Sequence, residues 1–436
     1  MMSKNHYDVI IIGGRCAGAS LALRLAGSDL KILLLDRATF PSLPNVPSAP
    51  FIHPGTMRLL DELVIDESEY THKGSKIEHF VVEMVGHFHA VMPTSQMMLD
   101  RNYFCGIDRS RLDETLWNHA ARVPGVTARD GFSVTQILKD DSGDVVNGIV
   151  GKASMGEDEA FSADLVVGAD GRFSFSARQF GEKVVEEKND YPSAVYHAEW
   201  ENVDDYAPDY PNAITTYNTG KGFMILVIPI AERKYHIGTY MKSGDANFGA
   251  QGFEQAYHEG VQRVPHLWNR LKNAKCVTNV VGMRPIENGY REAFGANWAL
   301  VGDAVHYKDP ADGQGIYDAL LESKLLAQSI IDWKQHGTTW AAAGAAYQQR
   351  MMNATHPTFK QTVANVRQTL YTPVPGFIIK TIVRWLINAP EFQREFLRYL
   401  SRAVDAADYK PGLSSKIVLN GIKTDLRKRF DKTDAP

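Results

Sequence analysis

The chain has 436 residues, a formal charge of -4, 44% hydrophobic residues and 22% charged residues. These are ordinary values for a globular protein, and the absence of a basic excess argues against a nucleic-acid partner. The length exceeds what one hydrophobic core usually supports, so we expect two closely joined domains and a helical tail. The three cysteines lie far apart, which argues against a disulfide framework or zinc site. The apolar run at 7–12 is too short for an export signal or a membrane span, so a cytoplasmic location is expected.

The chain opens with a pattern typical of a dinucleotide-binding unit. YDVIII predicts a buried parallel strand, a glycine-rich turn and a helical run follow, and KILLLD predicts a second strand. Free N–H groups and the helix dipole at such a turn can hold a pyrophosphate. The turn consists of Gly13, Gly14, Arg15, Cys16, Ala17 and Gly18.

The second strand of this unit ends at an acid. Asp36 lies 18 residues after Gly18, where a carboxylate accepts hydrogen bonds from ribose hydroxyls, and Arg37 follows it. An acid there favours FAD or NAD over NADP. Arg15 departs from the common pattern because it stands where the middle glycine usually lets the backbone approach the phosphates. We therefore expect Arg15 either to contact a phosphate, which we favour, or to point to solvent.

The rest of the chain predicts a second, β-rich domain. A proline-rich irregular loop follows Asp36, residues 77–92 suggest an antiparallel hairpin, and the runs between 190 and 285 suggest an antiparallel sheet. From Ala319 onward the pattern is helical, and the charged stretch 426–436 is expected to be frayed. We expect a cofactor domain at 1–75, 105–190 and 276–345, a substrate domain at 76–104 and 191–275, and a C-terminal helical region at 346–436.

Two later motifs have the same strand-then-turn character. ADLVVGADGR runs from a strand into a turn with Asp170, and NWALVGDAVHYKDPADGQGI places Asp303 after a buried strand. A carboxylate at that position can fix a ribityl hydroxyl, and glycine N–H groups at the following helix start can stabilise negative charge on a reduced flavin. Gly313, Gln314 and Gly315 precede that helix, which is expected to start near Ile316.

Together, GGRCAG, the DG turn and the GD strand end resemble the flavoprotein monooxygenase superfamily typified by para-hydroxybenzoate hydroxylase. The sequence HYKDP before GQGI, with the arginine and cysteine of GGRCAG, resembles more narrowly the geranylgeranyl-reductase-like oxidoreductases. The resemblance implies an α/β fold with a Rossmann-like, three-layer ββα FAD-binding domain, an antiparallel substrate sheet and C-terminal helices.

The resemblance also implies roles for individual residues. The glycine turn and Asp36 would bind the ADP half of FAD, and Arg109 in IDRSRLD would reach the cofactor, although Arg111 could do so instead. Asp170 would lie near the flavin and a transiently docked NAD(P)H. Asp303 would bind the ribityl-pyrophosphate arm. The isoalloxazine would be bordered by Pro310, Gly313, Gln314, Gly315 and Ile316.

The expected function is hydroxylation of a small aromatic or polyketide-like substrate by an FAD-dependent monooxygenase using NAD(P)H and O2. The runner-up is a flavin-dependent reductase of isoprenoid double bonds. A halogenase comes third, because residues 224–229 keep only the Ile-Pro end of a WxWxIP signature. A protein with a merely structural flavin is a further alternative, disfavoured by three separate cofactor motifs.

No catalytic residue is identified from the sequence. Five side chains could move a proton in a pocket, although each is more often structural: His53, Tyr217, His236, His306 and Tyr307. No metal site is expected. The segment PVPGFIIKTIVRWLI could pack on the sheet, cap the substrate tunnel or contact a membrane. Oligomeric state is left open.

Overall fold

The structure, a computed structural model, describes residues 5–249, 252–409 and 414–430, with side chains for all of these except 428–430. Its strands, in chain order, are β1 His6–Ile12, β2 Ile32–Leu35, β3 Phe51–Ile52, β4 Lys76–Ile77, β5 His79–Met84, β6 Phe88–Pro93, β7 Phe104–Gly106, β8 Val126–Arg129, β9 Phe132–Lys139, β10 Val146–Ala153, β11 Glu159–Gly168, β12 Val184–Glu187, β13 Ser193–Glu201, β14 Ile214–Asn218, β15 Phe223–Ala231, β16 Lys234–Lys242, β17 Lys275–Cys276, β18 Val281–Ile286, β19 Gly289–Arg291, β20 Phe294–Gly295, β21 Trp298–Leu300 and β22 His306–Tyr307. Its helices are α1 Cys16–Arg24, α2 Pro54–Asp61, α3 Glu67–Tyr70, α4 Arg109–Ala121, α5 Phe175–Phe180, α6 Gly252–Gln262, α7 Pro265–Arg270, α8 Gly315–Gln335, α9 Trp340–Val366, α10 Gly376–Asn388, α11 Pro390–Leu400 and α12 Ser415–Phe430.

The first large sheet has five parallel strands at its centre, in the order β21, β11, β1, β2 and β8. β2 and residues 9–12 of β1 are apolar and buried, as is typical of parallel strands whose two faces are both covered. The antiparallel strands β10 and β9 extend the sheet beside β11. Helix α1 packs against both α4 and α8, next to β1 and β2. The turn after β1 and the turn after β21 therefore meet at one edge of the sheet.

The second large sheet has the order β17, β13, β16, β15, β14, β5 and β6, with β18 also paired to β13. The expectation of a wholly antiparallel sheet is wrong at one place, since β14 and β5 run parallel from Ile214 beside Phe80 to Asn218 beside Met84. The reason is that β5 and β14 are far apart in the sequence and are not joined by a hairpin, so they need not run antiparallel. The hairpin of β5 and β6 is antiparallel, as predicted.

The predicted α/β fold class, with a Rossmann-like sheet, a second β-sheet and C-terminal helices, is confirmed. The domain bounds stay a prediction, and their outer ends at 1 and 436 lie outside the described residues. Residues 426–430 are helical rather than frayed, because α12 packs on α10 through Gly421 and Asp425. Residues 431–436 lie outside the described range. Among the helices that the structure describes, none is both long and apolar enough to cross a bilayer.

Candidate active site

The turn between β1 and α1 packs too closely to accept side chains at two of its glycines. Gly13 has a φ of +110°, and a Cβ added there would lie 2.3 Å from the carbonyl oxygen of Ala169. A Cβ at Gly18 would lie 1.8 Å from the carbonyl oxygen of Gly13. Only glycine fits these positions. The glycine turn and the DG turn are thereby pressed against each other.

The N-terminus of α1 lacks the usual partners for its free N–H groups. Its cap residue Arg15 makes no side-chain capping bond, and the first turn contains no acid. Cys16, Ala17 and Gly18 are nevertheless buried. Because the first N–H groups of a helix have no partner within it, a buried and uncapped start is suited to an anion.

Asp36 lies at the end of β2, beside the glycine turn. Its carboxylate accepts hydrogen bonds from the N–H of Gly14 at 2.7 Å and of Ala38 at 2.8 Å. These two bonds leave lone pairs on both oxygens, which suits the expected ribose contact. Arg37 is exposed.

Arg15 neither points to solvent nor stands free for a phosphate. Its guanidinium donates to Asp113 Oδ2 at 2.6 Å and to the Ser42 carbonyl oxygen and hydroxyl at 2.9 and 2.8 Å. Arg109 donates to both oxygens of Asp113 at 3.1 Å. Asp113 is fully buried, so one carboxylate holds two arginines beside α1. Burial, followed by the Asp113 charge, raises the pKa of Cys16 to about 12, which keeps its thiol protonated.

The sequence left Arg109 and Arg111 as alternatives for reaching the cofactor. Arg111 donates to the carbonyl oxygens of Ser68 and Glu69, at the opposite side of α4. Arg109 instead lies within 3.8 Å of Cys16 Sγ, and its Nε is buried without a hydrogen-bond partner. Arg109 is therefore the arginine that the fold brings to the glycine turn. Asp113 was missed, although its spacing four residues after Arg109 on a predicted helix was a usable signal.

In the DG turn, Asp170 accepts hydrogen bonds from residues at the start of α5. Asp170 Oδ2 accepts from the N–H and hydroxyl of Ser176 at 2.9 and 3.0 Å, and Oδ1 accepts from the Ser174 hydroxyl. These bonds fix the start of α5. The adjacent Gly171 has a φ of +79° and open space where a Cβ would stand. The turn thus offers a free surface beside Gly171 rather than a free carboxylate.

Asp303 occupies a tight turn after β21, against α1. A Cβ at the preceding Gly302 would lie 2.8 Å from Ala17 Cβ, so the two turns touch. The Asp303 side chain lies between the starts of α1 and α8, a region we call the cleft. It is 40% accessible, and its nearest cation, Arg172 Nε, is 4.0 Å away. Desolvation raises the pKa of Asp303, partly offset by Arg172 and Lys308. A polar ligand group could therefore improve the environment of this carboxylate.

The start of α8 closes the other end of the cleft. Gly313 has a φ of +65° and packs so closely on Phe51 that a Cβ would lie 2.2 Å from its ring, whereas the space beside Gly315 is open. Ile316 is buried and Pro310 begins the preceding turn. The Gln314 side chain donates to the Leu400 carbonyl at 3.1 Å, and its backbone N–H donates to Asp312 Oδ1 at 3.0 Å.

A buried network of charges holds this helix start in place. Lys308 Nζ lies 2.7 Å from Asp318 and 2.9 Å from Asp312, and Arg402 donates to Asp318 at 2.8 Å and to Gln314 Oε1 at 2.6 Å. Burial alone would raise the pKa of Asp318, but Lys308 and Arg402 more than offset this and bring it to about 2. The sequence did not reveal this network.

One face of the second sheet is turned to the α8 start. Ser193 donates to Asp309 in the loop before α8, and Ala311 packs on the cluster that contains Val195, Leu226 and Tyr240. By the alternation of strand side chains, His197 and His236 share this face, with ring centroids 4.5 Å apart. Burial lowers the pKa of His197 to about 4 and that of His236 well below 6.5. Both imidazoles are therefore neutral near pH 7.

The remaining proton-transfer candidates are engaged in structural contacts. Tyr217 lies on the opposite face of the sheet, in the cluster with Trp200, and accepts a hydrogen bond from Arg270 at 3.0 Å. His53 is buried and caps α2. His306 stacks on Tyr290 and pairs with Glu322 at 3.0 Å, and Arg291 lies over the Tyr307 ring. Of the five candidates, only His236 lies on the face of the second sheet that is turned to the cleft. His197, which contacts His236, was missed because the pair is visible only once the alignment of β13 with β16 is known.

These residues fit a bound FAD. The buried uncapped start of α1, the unpartnered Nε of Arg109 and the accessible carboxylate of Asp303 suit a pyrophosphate and a ribityl chain. The open space beside Gly315 at the N-terminus of α8 suits a group that becomes negative on reduction. Within the described residues, no cluster could hold a metal ion.

Comparison with known proteins agrees with this geometry. The family model described as "FAD binding domain" matches residues 6–339. A 1H-pyrrole-2-carbonyl-[peptidyl-carrier protein] chlorinase of Pseudomonas fluorescens is 24% identical over 76% of this chain and 77% of its own length. Ubiquinone hydroxylase UbiM of Neisseria meningitidis is 23% identical over 87% of this chain and 80% of its own.

The solved structures show the same fold. Flavin-dependent brominase Bmp2 superposes with a TM-score of 0.74 at 19% identity, covering 98% of this chain and all of that chain. Digeranylgeranylglycerophospholipid reductases are also among the relatives, as the narrower resemblance implied. Hydroxylases, halogenases and reductases thus share this framework. The chain belongs to the family defined by this FAD-binding domain, and it is an FAD-dependent oxidoreductase.

Proposed function

We propose that this protein is a monooxygenase that uses FAD, NAD(P)H and O2 to hydroxylate a small aromatic or polyketide-like substrate. The observation that carries the proposal is the face of the second sheet opposite the start of α8. Val195, Leu226 and Ile228 are buried there in one apolar cluster, with the ring of Tyr240 beside them. An apolar substrate ring is proposed to bind between this cluster and the start of α8, where it would be kept away from water.

The bound FAD supplies the redox chemistry that dioxygen activation needs. The N-terminus of α8 at Gly315 is suited to stabilise the negative charge that accompanies flavin reduction. On the opposite wall, the neutral imidazole of His236 can accept the proton of a substrate hydroxyl group, and this raises the electron density of the ring to be attacked. NAD(P)H is proposed to dock transiently at the open surface beside Gly171.

Halogenation is the second candidate, because the chlorinase and the brominase cover most of this chain. Against it, Met224 and Leu226 stand where the WxWxIP signature of flavin-dependent halogenases would place tryptophans. Reduction of an isoprenoid double bond is the third candidate and rests on the digeranylgeranylglycerophospholipid reductases among the relatives. The three reactions differ in what they consume, so one experiment separates them.

The test measures NADH and NADPH oxidation, O2 uptake and products for the FAD-loaded protein with a panel of phenols, polyketide-like aromatics and isoprenoids. For a monooxygenase, we expect product that carries one oxygen atom from ¹⁸O2, with or without added chloride or bromide. Product that forms only with halide and contains the halogen would contradict the proposal. A saturated isoprenoid formed without O2 would contradict it equally.

A pair of variants then tests the sheet face. His236→Gln removes the imidazole on the cleft face, and Tyr217→Phe removes a hydroxyl on the opposite face of the same sheet. We expect His236→Gln to lower kcat by about 10²-fold for a phenolic substrate, as for loss of a general base, and Tyr217→Phe to leave it unchanged. If the two changes lowered kcat equally, His236 would not act as the general base.

A further inference from the structure

Helix α10, which packs against the C-terminal helix α12, has a group of large apolar side chains that are exposed. Phe377 and Ile378 are 75% and 73% exposed, and Ile379 and Ile382 next to them are also exposed. Single exposed apolar residues are common on proteins, but four within six residues of one helix form a continuous patch. Such a patch marks a surface that contacts another apolar phase or partner.

The exposed face of α12 combines apolar and basic residues. Lys416, Leu419, Lys423, Leu426 and Arg427 recur at helical spacing, and all five are exposed. The opposite side of α12 packs on α10, where Arg384 pairs with Asp425 at 3.0 Å. Leucines between lysines and an arginine on one outward face are typical of helices that lie at a bilayer surface.

The charge of the two helices is opposite to that of the whole chain. Residues 376–388 and 415–430 contain seven lysines and arginines and one aspartate, whereas the chain as a whole has a formal charge of -4. A second copy of this chain would bring the same positive surface to the same place and be repelled. An anionic surface is the complementary partner.

From these observations we propose that α10 and α12 form a docking surface for an anionic lipid bilayer. Phe377 and Ile378 insert at the level of the headgroups, and Lys416, Lys423 and Arg427 contact anionic headgroups. The contact is peripheral, and it does not depend on which reaction the flavin site performs. A failed lipid test therefore leaves the proposed function intact, and the reverse also holds.

The experiment is co-sedimentation of the full-length, FAD-loaded protein with vesicles of phosphatidylcholine alone or mixed with phosphatidylglycerol. We expect binding to the mixed vesicles that weakens as salt is added. The Phe377→Ser/Ile378→Ser variant should bind at least about tenfold less, and each of Lys416→Gln and Lys423→Gln should weaken binding roughly fivefold. FAD content and thermal unfolding of each variant confirm that it is folded.

Met155→Ser is the matched control, because Met155 is a fully exposed apolar residue in the turn between β10 and β11. It should bind as the wild type does. The proposal would be overturned if the wild-type protein bound neither kind of vesicle. It would also be overturned if Met155→Ser lost as much vesicle binding as Phe377→Ser/Ile378→Ser. A concentration-dependent dimer that those two serines abolish, without any vesicle binding, would assign the patch to a second copy instead.

Discussion

Asp303→Asn is expected to change cofactor affinity and apoprotein stability in opposite directions. The carboxylate stands in the cleft with its nearest cation 4.0 Å away, and desolvation raises its pKa. In the apoprotein the charge is therefore a cost at neutral pH, and asparagine removes it without changing the size of the side chain. In the FAD complex we expect the same carboxylate to accept a hydrogen bond from the ribityl arm. A hydrogen bond to a charged group contributes about 1.5–3 kcal/mol, or roughly a 10- to 100-fold change in the FAD dissociation constant.

The assay pairs FAD titration by fluorescence quenching with urea unfolding of the apoprotein. The apoprotein of Asp303→Asn should be at least as stable as wild type at pH 7. A raised folded-state pKa means that the unfolded chain releases this proton at lower pH, so wild-type stability falls as pH rises from about 3.8 through the raised pKa. The advantage of the variant should grow over the same range. Unchanged FAD affinity, or an apoprotein destabilised by more than about 1 kcal/mol, would refute the reasoning.

Three further changes test other parts of the site. Arg15→Ala should weaken FAD binding at least about tenfold, because it removes the bonds that hold the loop at 42–43 and one of the two arginines paired with Asp113. Dissociation constants for FAD that are equal in the variant and the wild type, at each of two salt concentrations, would contradict this. Gly14→Ala should destabilise the protein by about 1–3 kcal/mol because its Cβ would lie 2.4 Å from the Trp117 ring, and Trp117→Leu should restore part of the loss in urea unfolding. The raised pKa of Glu322 and the lowered pKa of His306 indicate that both side chains are neutral, and an amide can make the same hydrogen bonds. Glu322→Gln should therefore lower the free energy of unfolding by less than about 1 kcal/mol, and Glu322→Ala by about 2–4 kcal/mol. A large loss in the glutamine variant would show that Glu322 is ionised.

The parts of the fold that the sequence predicted are those specified by local patterns. β1 and β2 follow from short apolar runs, and the helix expected near Ile316 begins at Gly315. The glycine turn, Asp36 and Asp303 follow from their places at strand ends. Each of these needs only a short stretch of chain to be understood.

The parts that the sequence did not reveal depend on contacts between distant segments. Arg15 and Asp113 are 98 residues apart, and Arg402 reaches Asp318 across 84 residues. Tyr217 was considered for the cleft, but strand alternation and register place it on the far face. His197 and His236 become a pair only when β13 and β16 are aligned. No local pattern contains this information.

Helix N-termini lie at both ends of the proposed cofactor site, and at each end the side-chain charges are balanced. At the α1 end, Arg15 and Arg109 share the carboxylate of Asp113, while the carboxylates of Asp36 and Asp303 lie beside the same turn. A pyrophosphate there would therefore depend on the free N–H groups of α1 and on the unpartnered Nε of Arg109, rather than on an excess of cations. At the α8 end, Lys308 and Arg402 are matched by Asp312 and Asp318. Negative charge that arises at a bound flavin on reduction would then be met by the helix dipole rather than by a fixed cation.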